Sequence, residues 1–167
     1  MRTKIDLSYI PALCLTLALS ACGFQLRGSN LEALKNSHVY VKSSGANDLA
    51  AQVKKQLNFA EMPLVKDPNQ ADYIIELAHE TFTRSVLSVS TQTGKAKEYE
   101  ITYKASLSIS GPGGKVLLKS EPLVLQRDFT FDEGAVLGKF EEENKLHQDL
   151  TKNAADTVLR RFQAVTR

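Results

Sequence analysis

Cysteine is almost missing from this chain: two occur in 167 residues, Cys14 and Cys22, both near the amino terminus. That placement excludes a disulfide framework or a cysteine-rich metal site in the body of the protein. A strong charge of one sign is missing too. Lysine plus arginine (21) against aspartate plus glutamate (19) leaves +2, too little for the surface as a whole to capture nucleic acid or an anionic membrane. Long apolar runs are absent as well. Ile10 to Leu19 is an apolar run of 10 residues, half of the ~20 that a membrane-spanning helix needs. Catalytic motifs are also lacking: there is no HExxH, GxSxG, glycine-rich phosphate loop or Cys/His cluster, and His38, His79 and His147 lie far apart in sequence. What is present, 43% hydrophobic and 24% charged residues, fits one compact domain.

The amino terminus reads as an address. Arg2 and Lys4 precede the short apolar run, as in the charged and hydrophobic regions of a bacterial secretion signal. The run ends in Leu19-Ser20-Ala21-Cys22, which resembles the lipobox of bacterial lipoproteins. Small side chains beside the scissile bond suit a signal peptidase, and the Cys22 thiol suits a diacylglyceryl thioether. Cleavage after Ala21 would leave 167 − 21 = 146 residues with charge +1, since Arg2, Lys4 and Asp6 depart. Several acyl chains on Cys22, palmitate among them, would hold the protein stably to a membrane, where one chain binds only marginally. The competing readings are an ordinary export signal with a chance cysteine, and a buried core helix. Gly23 stands where lipoproteins kept in the inner membrane carry aspartate, and this resemblance implies the outer membrane.

Behind the anchor, residues 22–37 read as a lipidated start and tether, and residues 38–167 as a single domain. His38 to Ser43 is a short strand. Asn47 is placed to cap a helix over Asp48 to Phe59, in which Leu49, Val53 and Leu57 form an apolar stripe. Asp72 to Thr91 is rich in strand formers and ends at a hairpin tip, Gln92-Thr93-Gly94-Lys95. The clearest period follows: Ile101, Tyr103, Ala105, Leu107 and Ile109 alternate with Thr102, Lys104, Ser106, Ser108 and Ser110. This is a strand with one apolar face and one wet face. Gly111-Pro112-Gly113-Gly114 closes a second hairpin, and Lys115 to Phe131 returns as a strand with a bulge at Pro122. About Glu133 to Phe162 is a helix, with Leu146, Leu150, Ala154, Val158 and Phe162 at four-residue spacing. The order β-α-β-β-β-α predicts an α+β two-layer sandwich, two helices on one face of a four-stranded, mostly antiparallel sheet.

Two clusters invite a chemical reading. His79-Glu80 has the composition of a base and its orienter, but adjacent strand residues face opposite ways, which makes two unrelated edge residues the better account. Glu141-Glu142-Glu143 reads better as a cap complementing the helix dipole than as a metal site. No cofactor and no metal is expected. Lys95, Lys97, Lys104 and Lys115, around the hairpins and on the wet face beside Ser106, Ser108 and Ser110, offer the cation and hydroxyl mixture that a phosphorylated sugar-bearing ligand wants. An ordinary solvated strand face guarded by lysine is the plain alternative.

Cys22-Gly23-Phe24-Gln25-Leu26-Arg27-Gly28, directly after the lipobox, resembles the start of the mature chain in the LptE (RlpB) family of lipopolysaccharide-assembly lipoproteins. The Gly94 hairpin followed by Glu98-Tyr99-Glu100, the Gly111-Pro112 turn and Leu137-Gly138-Lys139 fall in the same order as in that family. The resemblance implies a non-enzymatic protein of the outer membrane, lipid-anchored on the periplasmic side. Its partner would be the LptD β-barrel, in whose lumen it acts as plug and assembly partner during lipopolysaccharide transport. Proposed lipopolysaccharide contacts in the family imply Lys139 here. A second, basic contact before the hairpin tip falls on Gln92, a departure that leaves Lys95 and Lys97 to supply charge nearby, with Lys104 on the wet face. A periplasm-facing, lipid-anchored lipid carrier or chaperone is the alternative function. No nucleic-acid partner is implied.

Overall fold

The computed structural model describes residues 34–130 and 136–166, apart from the side chains of 136–140. Cys14, Cys22, the signal segment and most of the tether lie outside the described residues, as does the side chain of Lys139. The elements are β1 (Val39–Ser44), α1 (Asn47–Phe59), β2 (Tyr73–Val89), β3 (Ala96–Ser110), β4 (Val116–Thr130) and α2 (Val136–Val165). They form an open four-stranded sheet in the order β1-β2-β3-β4, with β1 parallel to β2 and the other pairs antiparallel. This is the α+β arrangement that the sequence predicts, in the predicted order.

The connectivity follows from the local chemistry. Parallel strands need a crossover of about a dozen residues or more, and α1 supplies it between β1 and β2. Antiparallel strands need only a tight turn, and Gly94, at φ +68°, takes a backbone conformation that a Cβ would strain. On β3 the alternation decides the layers. Ile101, Tyr103, Ala105, Leu107 and Ile109 are all buried, and Thr102, Lys104 and the serines take the other face. Leu49, Ala50, Val53 and Leu57 of α1 and Leu150, Ala154, Ala155, Val158 and Phe162 of α2 join them in one core. Both helices therefore cover the same face of the sheet, each buried large side chain contributing about 1.5–3 kcal/mol.

The long axis is set by unequal strand lengths. The first six residues of β2 pair with β1, Tyr73 to Ala78, so 17 − 6 = 11 continue with β3 alone on one side. At roughly 3.3 Å per residue this prolongs the sheet by about 36 Å. One end gathers the start of the described chain, where Lys35 pairs with Glu61 at 3.2 Å, together with the Pro112–Gly114 turn and the end of α2, where Phe162 meets Tyr73 edge-on at 5.4 Å. The opposite end carries the Gln92–Lys95 tip and the start of α2.

Three local expectations need correction. Asn47 is not the cap of α1: that position belongs to Ala46, and the Asn47 Oδ1 instead accepts the Ser43 hydroxyl at 2.8 Å. Pro122 keeps register opposite Ser106, since an edge strand tolerates a missing N–H, and the irregularities fall instead between Glu121 and Leu118 and between Leu118 and Val116. Glu141–Glu143 lie in the second turn of α2, beyond the reach of the helix dipole's first turn. Glu143 there pairs with Arg84 at 3.3 Å.

Candidate functional site

The pair His79-Glu80 sits on a β-bulge. Ala78 is opposite Ser106 and Thr81 opposite Lys104, so β2 spends one residue more than β3 across this stretch, and His79 takes φ +56°. A bulge re-aims the next side chain. Glu80 thereby turns to the helix layer: its Oε1 accepts the Tyr103 hydroxyl at 2.9 Å and its Oε2 accepts the Leu49 N–H at 3.3 Å, while its own N–H donates to Gly45 O at 2.9 Å. The carboxylate thus caps α1 from a distant strand, serving one donor, the Leu49 N–H, that Asn47 leaves unmet. Burial, reinforced by the charge of and hydrogen bond to Glu80, pushes the Tyr103 phenol above its usual range. The expectation of two unrelated edge residues is wrong for Glu80, whose role is structural, and His79 is exposed.

The other histidines take no part in this node. His38 Nδ1 lies 3.4 Å from Asp72 Oδ2 and the His38 backbone N–H donates to the same oxygen at 2.7 Å, while His147 stacks on Phe82 with ring centroids 4.3 Å apart. Among the described residues no group of three or more His, Cys, Asp or Glu is arranged to hold a metal ion. No described helix is long and apolar enough to cross a membrane.

The helix-free face of the sheet is mostly polar, with hydroxyls at four of nine neighbouring positions. Thr81, Thr83 and Ser85 of β2 lie beside Lys104, Thr102 and Glu100 of β3, and Val124, Gln126 and Asp128 of β4 continue the rows. Lys104 is exposed in the middle of it. On the first strand, Lys42 meets Glu76 at 2.8 Å, and that hydrogen bond and charge hold the ammonium above its ordinary pKa. Paired groups of this kind leave a face that is polar without being strongly charged.

The predicted lysines do not form one pocket. Lys95 and Lys97 are exposed at the hairpin end, where the Ser90 hydroxyl accepts the Gln92 and Thr93 N–H groups, each at 3.3 Å, and stiffens the tip. Lys104 is seven residues from Lys97, roughly 23 Å along β3. Lys115 belongs to the other hairpin. The backbone of Lys139 lies in the first turn of α2, at the same end as Lys95 and Lys97, since β4 ends at Thr130 opposite Glu98.

That end also holds a cluster absent from the sequence reading. Arg84 lies 4.9 Å over the Tyr99 ring, Tyr99 stacks on Phe129 with centroids 5.5 Å apart, and Arg84 pairs with Glu143. The alternation of β2 after the bulge is the signal that could have found it, because the one-residue offset moves Arg84 to the helix side, opposite Ile101.

The family model for LptE, described as lipopolysaccharide assembly, matches residues 37–162. No curated protein is matched at a significant level. Among solved structures, the rare lipoprotein B of Shewanella oneidensis is similar at 24% identity and TM-score 0.68, covering 77% of this chain and 96% of that one. Lipoprotein B of Nitrosomonas europaea is similar at 23% identity and TM-score 0.71, covering 86% and 92%. A minor lipoprotein of Acinetobacter baumannii is similar at 21% identity and TM-score 0.61, covering 77% and 91%. These likenesses show the fold. The family match spans well over half of the sequence, and on it the chain belongs to the LptE family of lipopolysaccharide-assembly proteins.

Proposed function

We propose that this chain is a non-enzymatic outer-membrane lipoprotein, anchored through acylated Cys22 after removal of residues 1–21, that serves as plug and assembly partner of an LptD-type β-barrel. In that place it takes part in lipopolysaccharide transport to the outer-membrane surface, and Lys139, Lys95, Lys97 and Lys104 supply cationic contacts to the phosphorylated ligand. The observation that carries this reading is the helix-free sheet face, with Thr81, Thr83, Ser85 and Lys104 exposed along it. A barrel lumen is wet and polar, so a hydroxyl-rich face fits against its wall where an apolar one would not. Family membership supplies the lipopolysaccharide context.

The carrier alternative needs an apolar interior able to take acyl chains. Tyr103, Phe162, Leu49, Leu57 and Leu107, each with no exposed surface, fill the space between helices and sheet. Purification of tagged protein from detergent-solubilised outer membrane tests the proposal. A large β-barrel should co-isolate in stoichiometric amount, and its absence overturns the plug reading. The intact mass of the purified chain tests the anchor separately, by the acyl groups on residue 22.

A further inference from the structure

We infer that the tether end of the domain docks on an anionic phospholipid surface through Phe59 and the cations around it. Phe59 is 92% exposed, more than any other large apolar side chain among the described residues. It ends α1 two residues after Leu57, about 200° around the helix from the buried stripe, so the core cannot reach it. Beside it an open groove of about 880 Å³ runs between the outer surfaces of α1 and α2, with Ala60 and Leu159 as apolar lining and Lys55, Lys152 and Arg160 around them. The lining acid, Asp156, accepts a hydrogen bond from Gln56 at 2.8 Å. Among the described residues no ion pair engages Lys55, Lys152 or Arg160.

An aromatic ring that protrudes among long cationic side chains suits the boundary of a bilayer. The ring enters the acyl region while lysine and arginine stems lie along it and present their charges to headgroup phosphates. Placement in the chain selects the same occupant, and this step rests on the anchor reading of Cys22. Leu34 lies twelve positions after Cys22, a reach of at most roughly 43 Å when fully extended. Leu34 lies at the Phe59 end of the domain, where Lys35 pairs with Glu61 and Met62 N–H donates to Leu57 O. An acyl anchor there raises the effective concentration of lipid at Phe59, so a weak contact is enough to set the orientation of the domain.

The chain contains no tryptophan, so Phe59→Trp introduces its sole indole at an exposed position that the core does not use. The acylated protein, held by its own anchor, is placed in vesicles of pure phosphatidylcholine and in vesicles of phosphatidylcholine and phosphatidylglycerol at 3:1. Docking predicts a blue-shifted emission, quenched by brominated lipid, in the anionic vesicles and much less in the neutral ones. Each cation near an anionic surface contributes about fivefold; combining Lys55→Gln, Lys152→Gln and Arg160→Gln should lower the docked fraction relative to the free by on the order of 100-fold. An indole that stays wet in both vesicles overturns the inference. So does shielding that appears only when a barrel protein is reconstituted alongside, or shielding indifferent to lipid charge and to the three substitutions. Should the intact mass show no acyl group, the anchor reading fails by itself, and the same emission measurement on the chain coupled through its Cys22 thiol to a maleimide lipid in these vesicles decides the docking.

Discussion

Tyr103 donates its hydroxyl hydrogen to Glu80 across 2.9 Å, from a side chain with no exposed surface, and the same carboxylate receives the Leu49 N–H at the start of α1. One residue on a bulge therefore joins strand, neighbouring strand and helix. Glu80→Ala should cost about 1–3 kcal/mol, since it strands a buried donor and an uncapped helix N–H. Glu80→Gln, which keeps one carbonyl oxygen, should cost less. Urea unfolding of both variants checks the order, and equal losses would contradict it.

The same pair gives an alkaline signature. Tyr103 has its pKa raised in the folded state, chiefly by burial and then by Glu80. Its contribution is thus complete below the unfolded tyrosine value of about 10 and is lost as pH rises above it, because the unfolded chain releases that proton first. Stability should fall above about pH 10, and Tyr103→Phe should flatten that part of the curve while lowering the plateau at neutral pH. Thermal unfolding from pH 8 to 11 reads both effects.

Arg84 fastens the start of the described part of α2 to the sheet through Glu143 at 3.3 Å, while lying over Tyr99. Both groups are partly exposed, so global stability should change by no more than about 1 kcal/mol in Arg84→Ala. The local effect should be larger. Amide exchange in the turn around Glu143 is expected to accelerate, and Arg84→Lys should restore it only in part because an ammonium lacks the planar fork.

Lys104 distinguishes surface function from stability. It is exposed on the helix-free face between Thr81 and Val124, and charge reversal there should leave stability within about 0.5 kcal/mol. If this face lies against a barrel wall, Lys104→Glu lowers the yield of co-purified barrel. Unchanged yield would move the contact to another surface.

Phe162 closes the tether end of the core by its edge-on contact with Tyr73. Phe162→Ala should cost about 3–5 kcal/mol, visible as a loss of soluble protein or a shift in the urea midpoint. Phe59→Ala, at the same end but on the outer surface, should be nearly neutral in the same assay.

Local patterns were legible wherever one side chain reports on one face. The Ile101-to-Ile109 alternation and the Leu49, Val53, Leu57 stripe locate β3 and α1 because burial acts on each residue independently. The bulge at His79-Glu80 has no glycine or proline to mark it; its trace is the change of parity from Ile75 and Leu77 to Phe82 and Val86, and the bond of Glu80 to α1 lies beyond local pattern. Asn47 misled for a related reason: a side chain suited to capping was bound by Ser43, and Glu80, 31 residues from Leu49, met the need instead. The lysines illustrate a third limit. Their composition matched a phosphate ligand, yet proximity depends on strand register and length, which spread Lys97 and Lys104 along β3.

The position of α2 as the last element has a consequence for how the molecule comes into being. A chain emerging amino terminus first can complete β1, α1 and the three-strand meander before residues 136–165 appear. Without α2, the apolar side chains of Ile101, Tyr103 and Leu123 lack part of their cover. Closure of the core therefore depends on α2: Leu150, Val158 and Phe162 supply the other half of it, and a chain cut before residue 136 leaves that half empty.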